Sequence, residues 1–265
     1  MAESNSIHDL VAANFGPVAE SYATSAGHAN LSALQQLVAL VEPKPTDVVL
    51  DIATGAGNVA LAFAPHVSRV VAFDLTPSML EQTLKSAKDR GLLNVETVQG
   101  LAEDLPFENG SFDVVTVRLA PHHYADIGQA VREMARVVRA GGKVVIVDTT
   151  TPEDEDLHRE INEIEKLRDN SHVENYRPSH WRKMVEDAGL TVTHESVGPY
   201  TEDFKMDFDD WVERIRTPEP EVLELRRRFR AATPALAEAI ALEFEGDKIQ
   251  FVWDQVTLVG EKLTS

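Results

Sequence analysis

Val48–Leu61 reads VVLDIATGAGNVAL: a β-branched apolar run, two closely spaced glycines, then a helix-forming segment. A strand that enters a helix through a glycine turn opens many nucleotide-binding α/β sheets, because the free amides and the dipole at the helix start favour negative charge. Asp51 stands four residues before the first glycine, Gly55. A dinucleotide would press its pyrophosphate against this turn, where a carboxylate adds the wrong charge. A phosphate-free nucleoside with a cationic end suits the acid better. The alternative has Asp51 only tying down the glycine loop, and the two roles are compatible.

Working outward, short β-branched runs alternate with helical patterns, which predicts a largely parallel sheet covered by helices. Strands are expected at Val48–Ala53, Arg69–Asp74, Val95–Gln99, Phe112–Arg118 and Lys143–Asp148. Thr76 before Pro77 signals a helix start, and Gly91 signals its end, giving a helix over Pro77–Arg90. A second helix over Asp126–Arg139 stops at the pair Gly141–Gly142. Asp74 then closes the second strand about 20 residues beyond the glycine turn, the place of a ribose-binding acid, and GAGNVA satisfies the dinucleotide pattern G-x-G-x-x-A.

After Asp148 the pattern predicts two helices, a strand over Thr191–Val197, helices over Phe204–Arg216 and Glu221–Phe244, and a last strand over Ile249–Val259. The long helical insertion reads as a lid over the functional edge, or as a hairpin that only shields an edge strand. The expected organisation is one domain: N-terminal helices over 1–45, a cofactor-binding core over 46–150, and acceptor-side elements over 151–265 with the lid at 200–248.

The whole chain narrows the function classes. It has 265 residues, 43% of them hydrophobic, enough for a large core. Its net charge of −19 repels a phosphate backbone, so nucleic acid is not an expected partner, and LRRRFR (Leu225–Arg230) reads as a salt-bridged helix face. No run reaches the length of a membrane span, and the first residues lack a basic leader, which points to the cytoplasm. With no cysteine there is no disulfide or thiolate metal site, and His172, His180 and His194 lack ligand spacing, so no metal is expected.

Four ordered blocks carry a family resemblance: VLDIATGAGN, VVAFDLTPSMLEQ, AEDLPFENGSFDVVTVRLAPHHYAD and REMARVVRAGGKVVIVD. With them, Phe15–Asp148 resembles the class I S-adenosylmethionine-dependent methyltransferases, type 11, and within these the ubiquinone/menaquinone-biosynthesis C-methyltransferase-like subgroup. The resemblance implies a Rossmann-like α/β sheet of seven strands, the last antiparallel, with an N-terminal helical flap and S-adenosylmethionine as cofactor. It places Asp51, Thr54, Gly55 and Gly57 around the methionine end, Asp74 on both ribose hydroxyls and Leu75 against adenine. Ala102 and Glu103 take the adenine edge. Many relatives carry aspartate where this chain has Leu101, so Glu103 or the Ala102 backbone is expected to replace it. Arg118 should face the cleft, or form a salt bridge at a strand end. In the flap stretch FGPVAESYATSAGHAN, Tyr22 is the candidate to cover the cofactor.

A sulfonium is already an activated leaving group, so alignment and exclusion of water do most of the catalysis. A nucleophile that starts protonated also needs a base. His122 and His123 follow the fourth strand at the ligand-binding edge of the sheet and are the candidates, with a purely structural role as the alternative. Arg168, His172 and Tyr176 are candidates to bind the small-molecule acceptor, with Trp211 and Trp253 as apolar walls and a homodimer as a possible assembly. The acceptor atom, carbon, oxygen, nitrogen or sulfur, stays open. Two competing functions are an NAD-dependent oxidoreductase, which Asp51 opposes, and a non-catalytic binder of S-adenosylmethionine that regulates a partner.

Overall fold

The computed structural model describes residues 6–18, 30–199 and 205–264. Its frame is a seven-stranded sheet built from β1 (Val48–Ile52), β2 (Arg69–Asp74), β3 (Val95–Gln99), β4 (Phe112–Arg118), β5 (Val138–Thr149), β6 (Thr191–Pro199) and β10 (Asp254–Glu261). The order is β3-β2-β1-β4-β5-β10-β6. β1, β2, β3, β4 and β5 pair in parallel, and β10 runs antiparallel to both β5 and β6, as the resemblance implies.

Alternating residues of the central strands feed two cores. Leu50, Ile52, Val71, Phe73, Val115 and Val117 pack with α5 (Ile127–Val137) and α7 (Pro178–Asp187) on one face. Val49, Val70, Ala72 and Val114 pack with α2 (Leu31–Val41) and α3 (Asn58–Phe63) on the other. Burial on both faces is why these strands read as continuous apolar runs. Between β2 and β3 lies α4 (Pro77–Asp89), and Gly91 closes it with φ 69° while Leu92 N donates to Ala87 O. Thr76 precedes Pro77 as expected, but its side chain makes no capping bond. Its hydroxyl is drawn to the buried Asp74 instead.

Several boundaries differ from expectation. The helix expected to reach Arg139 stops at Val137, and β5 begins at once at Val138, because Val138 already pairs with Phe112 and the ladder resumes at Lys143 after a bulge around the glycine pair. Beyond α6 (Glu155–Arg168) and β6, the insertion comprises β7 (Met206–Asp207), α8 (Phe208–Glu213), α9 (Glu219–Arg230), α10 (Pro234–Ala239), β8 (Glu243–Glu245) and β9 (Lys248–Phe251). The single helix expected over Glu221–Phe244 is broken because Pro234 has no amide to continue the ladder and Thr233 caps a new start by accepting from Leu236 N. The strand expected over Ile249–Val259 splits at Val252–Trp253: β9 joins the small sheet β7-β9-β8, and β10 joins the large one.

The insertion has a core of its own, in which Phe208, Trp211, Phe229, Ile249, Phe251 and Trp253 close on Ile161 and Ile164 of α6. None of its described residues borders the cavity considered below; they form a packed module on α6. Trp211 and Trp253 correspondingly belong to that core and do not border this cavity.

Candidate active site

The chain leaves β1 toward β2 and β3, and leaves β4 toward β5, so the loops beyond these neighbouring strands part at the carboxyl edge of the sheet. Ala53 and Leu119 sit at this parting in left-handed conformations, φ 48° and 54°, a strained arrangement for residues bearing a Cβ. A cavity of about 1020 Å³, its open mouth included, lies between the loops. Its roof is α1 (Ile7–Phe15), started by a capping box of Ser6 and Asp9, and His8, Val11 and Phe15 share the face turned to the cavity.

Asp51 is 1% exposed and its carboxylate accepts three hydrogen bonds. Thr54 Oγ1 donates to Oδ2 (2.6 Å), Ala60 N donates to the same oxygen (3.1 Å), and Thr116 Oγ1 donates to Oδ1 (2.9 Å). The loop-tying role is therefore present, and Asp51 still borders the cavity with its charge. Burial raises its carboxyl to about 6 against those three hydrogen bonds. Gly55 N donates to Asp74 Oδ2 (2.8 Å) and Thr76 N to Asp74 Oδ1 (2.8 Å). The Thr76 hydroxyl and the Leu75 amide also act on this carboxylate, which borders the cavity. Burial raises Asp74 as well. Gly55 has φ 55° and open space where a Cβ would stand. Gly57 does not border the cavity; with φ 85°, a Cβ there would lie 2.7 Å from Thr83 Cγ2, so this glycine lets α3 approach α4.

Leu75, Leu101, Ala102, Glu103 and Arg118 all border the cavity. Glu103 is less available than expected for an adenine edge: its Oε1 accepts from Ala125 N (2.9 Å) and Asp126 N (3.4 Å) and faces His8 Nε2 at 3.5 Å. Tyr22 lies outside the described residues.

The two histidines part company. His122 does not border the cavity; its Nδ1 is 2.7 Å from Asp148 Oδ1, its backbone N donates to Asp148 Oδ2 (2.9 Å), and against its burial Asp148 holds its pKa up. His123 does border the cavity, packed edge-on against Phe15. Its Nδ1 is 3.0 Å from the Ser171 carbonyl, which only accepts, so the ring proton sits on Nδ1. Nε2 stands 4.0 Å from Asp169 Oδ2, beyond hydrogen-bond reach. Burial and then the charge on His122 push His123 down to about 3, leaving a neutral ring.

The expected acceptor residues are not brought to the cavity. Arg168 donates from Nε to Trp211 O (3.1 Å) and stacks on the Trp211 ring at 4.9 Å, which fastens the insertion to α6. His172 is buried with Nε2 on Asn162 Oδ1 (2.9 Å), and Tyr176 packs edge-on against Trp181. In their place, His8, Val11, Phe15 and Tyr124 complete the wall. The 1–4–8 spacing of the first three was visible as a helical face, but nothing in the sequence shows that this face is roofed onto the glycine loop.

The lining matches one kind of nucleoside. Asp51, Asp74 and Glu103 outnumber the one arginine of the lining, Arg118, Asp74 stands where ligand hydroxyls can reach it, and the glycine turn supplies room. S-adenosylmethionine, with an ammonium and a sulfonium, fits that donor set. The comparisons agree. The family described as "Methyltransferase domain" matches residues 50–146. The uncharacterised methyltransferase YcgJ of Bacillus subtilis is 33% identical over 250 residues, covering 94% of this chain and 97% of that one. The chain belongs to this methyltransferase family. The crystal structure of YcgJ superposes with a TM-score of 0.81 at 31% identity, covering 88% of this chain and 99% of that one. A ubiquinone/menaquinone biosynthesis C-methyltransferase of Idiomarina loihiensis is 38% identical over 108 residues, 39% of this chain and 43% of its own length.

The methyltransferase is an S-adenosylmethionine-dependent enzyme, which its family membership supports over an oxidoreductase. Its buried acids make cofactor binding pH-dependent. A carboxyl raised to about 6 is protonated in the free protein at pH 5, and a cationic ligand favours the ionised form. Affinity for S-adenosylmethionine should therefore rise severalfold from pH 5 to pH 7, with proton release near pH 5.5. Calorimetry in buffers of different ionisation enthalpy checks both, and an affinity flat across that range would contradict the assignment.

Proposed function

We propose that the methyltransferase acts on a small acceptor whose nucleophile starts protonated, an enolisable ring carbon or an oxygen, in the manner of the ubiquinone/menaquinone-biosynthesis-like subgroup. The observation that carries this is the divergence of the two histidines. His122 is committed to Asp148, whereas His123 keeps a neutral ring at the cavity wall with its Nδ1 proton fixed on Ser171 O. That tautomer leaves the Nε2 lone pair to take a proton. Asp169, held below the usual carboxylate range against its burial by the hydroxyl and amide of Ser171, stands 4.0 Å from Nε2, where its charge would stabilise the imidazolium. Partial likeness to the ubiquinone/menaquinone enzymes supports the subgroup.

In the same reading, Asp74 takes the ribose hydroxyls, Leu75 packs on adenine, and Asp51, Thr54 and Gly55 hold the methionine end with Arg118 at the cleft. Residues 46–150 are then the cofactor half of a single domain. A cytoplasmic setting suits an acidic, cysteine-free chain, and β6, one of the two outer strands of the sheet, offers an edge at which two copies can pair.

The test is a panel of phenols, quinols, enols, amines and thiols assayed for S-adenosylhomocysteine release. Turnover should favour the first three, and His123→Ala should lower kcat about tenfold or more with unchanged affinity for S-adenosylhomocysteine. Turnover confined to amines or thiols, or an equal kcat in the variant, would contradict the proposal.

A further inference from the structure

The roof of the cavity rests on little packing. None of the nine residues of α1 is buried, although His8, Val11 and Phe15 border the cavity. An element that buries so little opens at low cost unless something fastens it.

Asn14, half-buried in the last turn of α1 and off the cavity, meets the turn that follows α6. Its Nδ2 lies 3.1 Å from Asp169 Oδ1, 2.9 Å from Asn170 Oδ1 and 3.3 Å from Ser171 Oγ, so two N–H groups serve three acceptors. That turn is fixed by bonds of its own. The Ser171 amide (2.8 Å) and hydroxyl (2.6 Å) donate to Asp169 Oδ1, and His172 N donates to Asp169 O (3.0 Å), which holds the buried carboxylate beside Asn14. A second tie follows two residues on, where Ser78 Oγ of α4 donates to Gly16 O (3.1 Å).

The same turn holds His123, whose Nδ1 is 3.0 Å from Ser171 O, and the residue after Asn14 is Phe15, whose ring packs edge-on against His123 at 5.0 Å. One side chain thus joins the roof to the groups that frame the histidine. When α1 lifts to pass a ligand, the Asn14 bonds and the Phe15 contact break together.

We propose that Asn14 is a positioning residue: it latches the roof onto the Asp169–Ser171 turn, and opening this latch governs the release of S-adenosylhomocysteine. Closure also seals Phe15 over His123, and that consequence alone rests on His123 being the base.

The test is stopped-flow measurement of S-adenosylhomocysteine release from wild type, Asn14→Ala and Asn14→Asp, with association rates and melting temperatures alongside. Asn14→Ala should release the ligand about tenfold faster, the loss expected for a hydrogen bond to a charged acceptor, while association stays within about twofold of wild type. Alanine is the better helix former, so faster release does not come from a weaker α1. Asn14→Asp keeps the shape but has no N–H to give, and should release at least as fast. The melting temperatures of the free variants should match wild type, because α1 buries no residue. In wild type, the α1 amides should exchange more slowly with S-adenosylhomocysteine bound, which keeps the inference testable without a variant. Wild-type release by either variant, affinity lost through association alone, or no slowing of exchange in wild type would overturn it. Failure of the base assignment reads out separately, as an equal kcat in His123→Ala, and leaves these release rates as predicted.

Discussion

Asp74→Ala is expected to weaken S-adenosylmethionine and S-adenosylhomocysteine at least tenfold. The carboxylate closes β2 at 8% exposure, and its two oxygens accept from Gly55 N and Thr76 N at 2.8 Å each. The carboxylate borders the cavity, where ligand hydroxyls can donate to it. Charge-assisted hydrogen bonds of this kind contribute about 1.5–3 kcal/mol each, so losing even one exceeds the roughly 1.4 kcal/mol that a tenfold change in affinity represents. Alanine also frees the two amides and loosens the loop. Asp74→Asn separates the effects, because its amide oxygen still accepts from one of them. Calorimetric titration of both variants checks the expectation, and wild-type affinity in either would remove Asp74 from the ribose.

Asp51→Ala should act on fold and cofactor together. The substitution strands the Thr54 and Thr116 hydroxyls and the Ala60 amide, which now converge on one buried carboxylate. Unpaired buried donors cost about 1–3 kcal/mol each, offset here by the carboxylate's own desolvation, so a loss of about 2–4 kcal/mol is expected. That corresponds to a fall in melting temperature of several degrees. Asp51→Asn preserves shape and one acceptor, and should recover much of the stability while binding S-adenosylmethionine about tenfold more weakly than wild type. Thermal melts and titrations of the pair check this. An asparagine variant with full cofactor affinity would reduce Asp51 to a tie for the glycine loop.

The core of the sheet was legible because its strands are buried on both faces and its turns carry glycine. Val48–Ile52, Arg69–Asp74, Val95–Gln99 and Phe112–Arg118 emerge with boundaries within a residue of those read from the pattern. Burial also explains where the reading stopped. The segment after β6 builds a second core around Trp211, Phe229 and Phe251, so its apolar residues serve α6 instead of the cavity, and periodicity does not say which surface an apolar face will meet. Pro234 and the Val252–Trp253 break redistribute what looked like one helix and one strand among several short elements.

At the site, Asp51, Thr54, Gly55, Asp74, Leu75, Ala102, Glu103 and Arg118 gather on one cavity because they follow strand ends, whose position the topology sets. Side-chain direction within a loop is set by partners that adjacency in sequence does not reveal. Asp148 claims His122, Ser171 claims His123, and the buried Tyr124 hydroxyl finds no partner among the described residues. Arg168, His172 and Tyr176 were read as acceptor residues from their chemistry, and they are held by Trp211, Asn162 and Trp181.

The most direct measurement is a parallel calorimetric titration of the purified protein with S-adenosylmethionine, S-adenosylhomocysteine and NAD at pH 7. An acidic cavity that holds a phosphate-free, cationic nucleoside predicts saturable one-to-one binding of both adenosyl ligands and none of NAD. Binding of NAD, or of neither adenosyl ligand, would contradict the account.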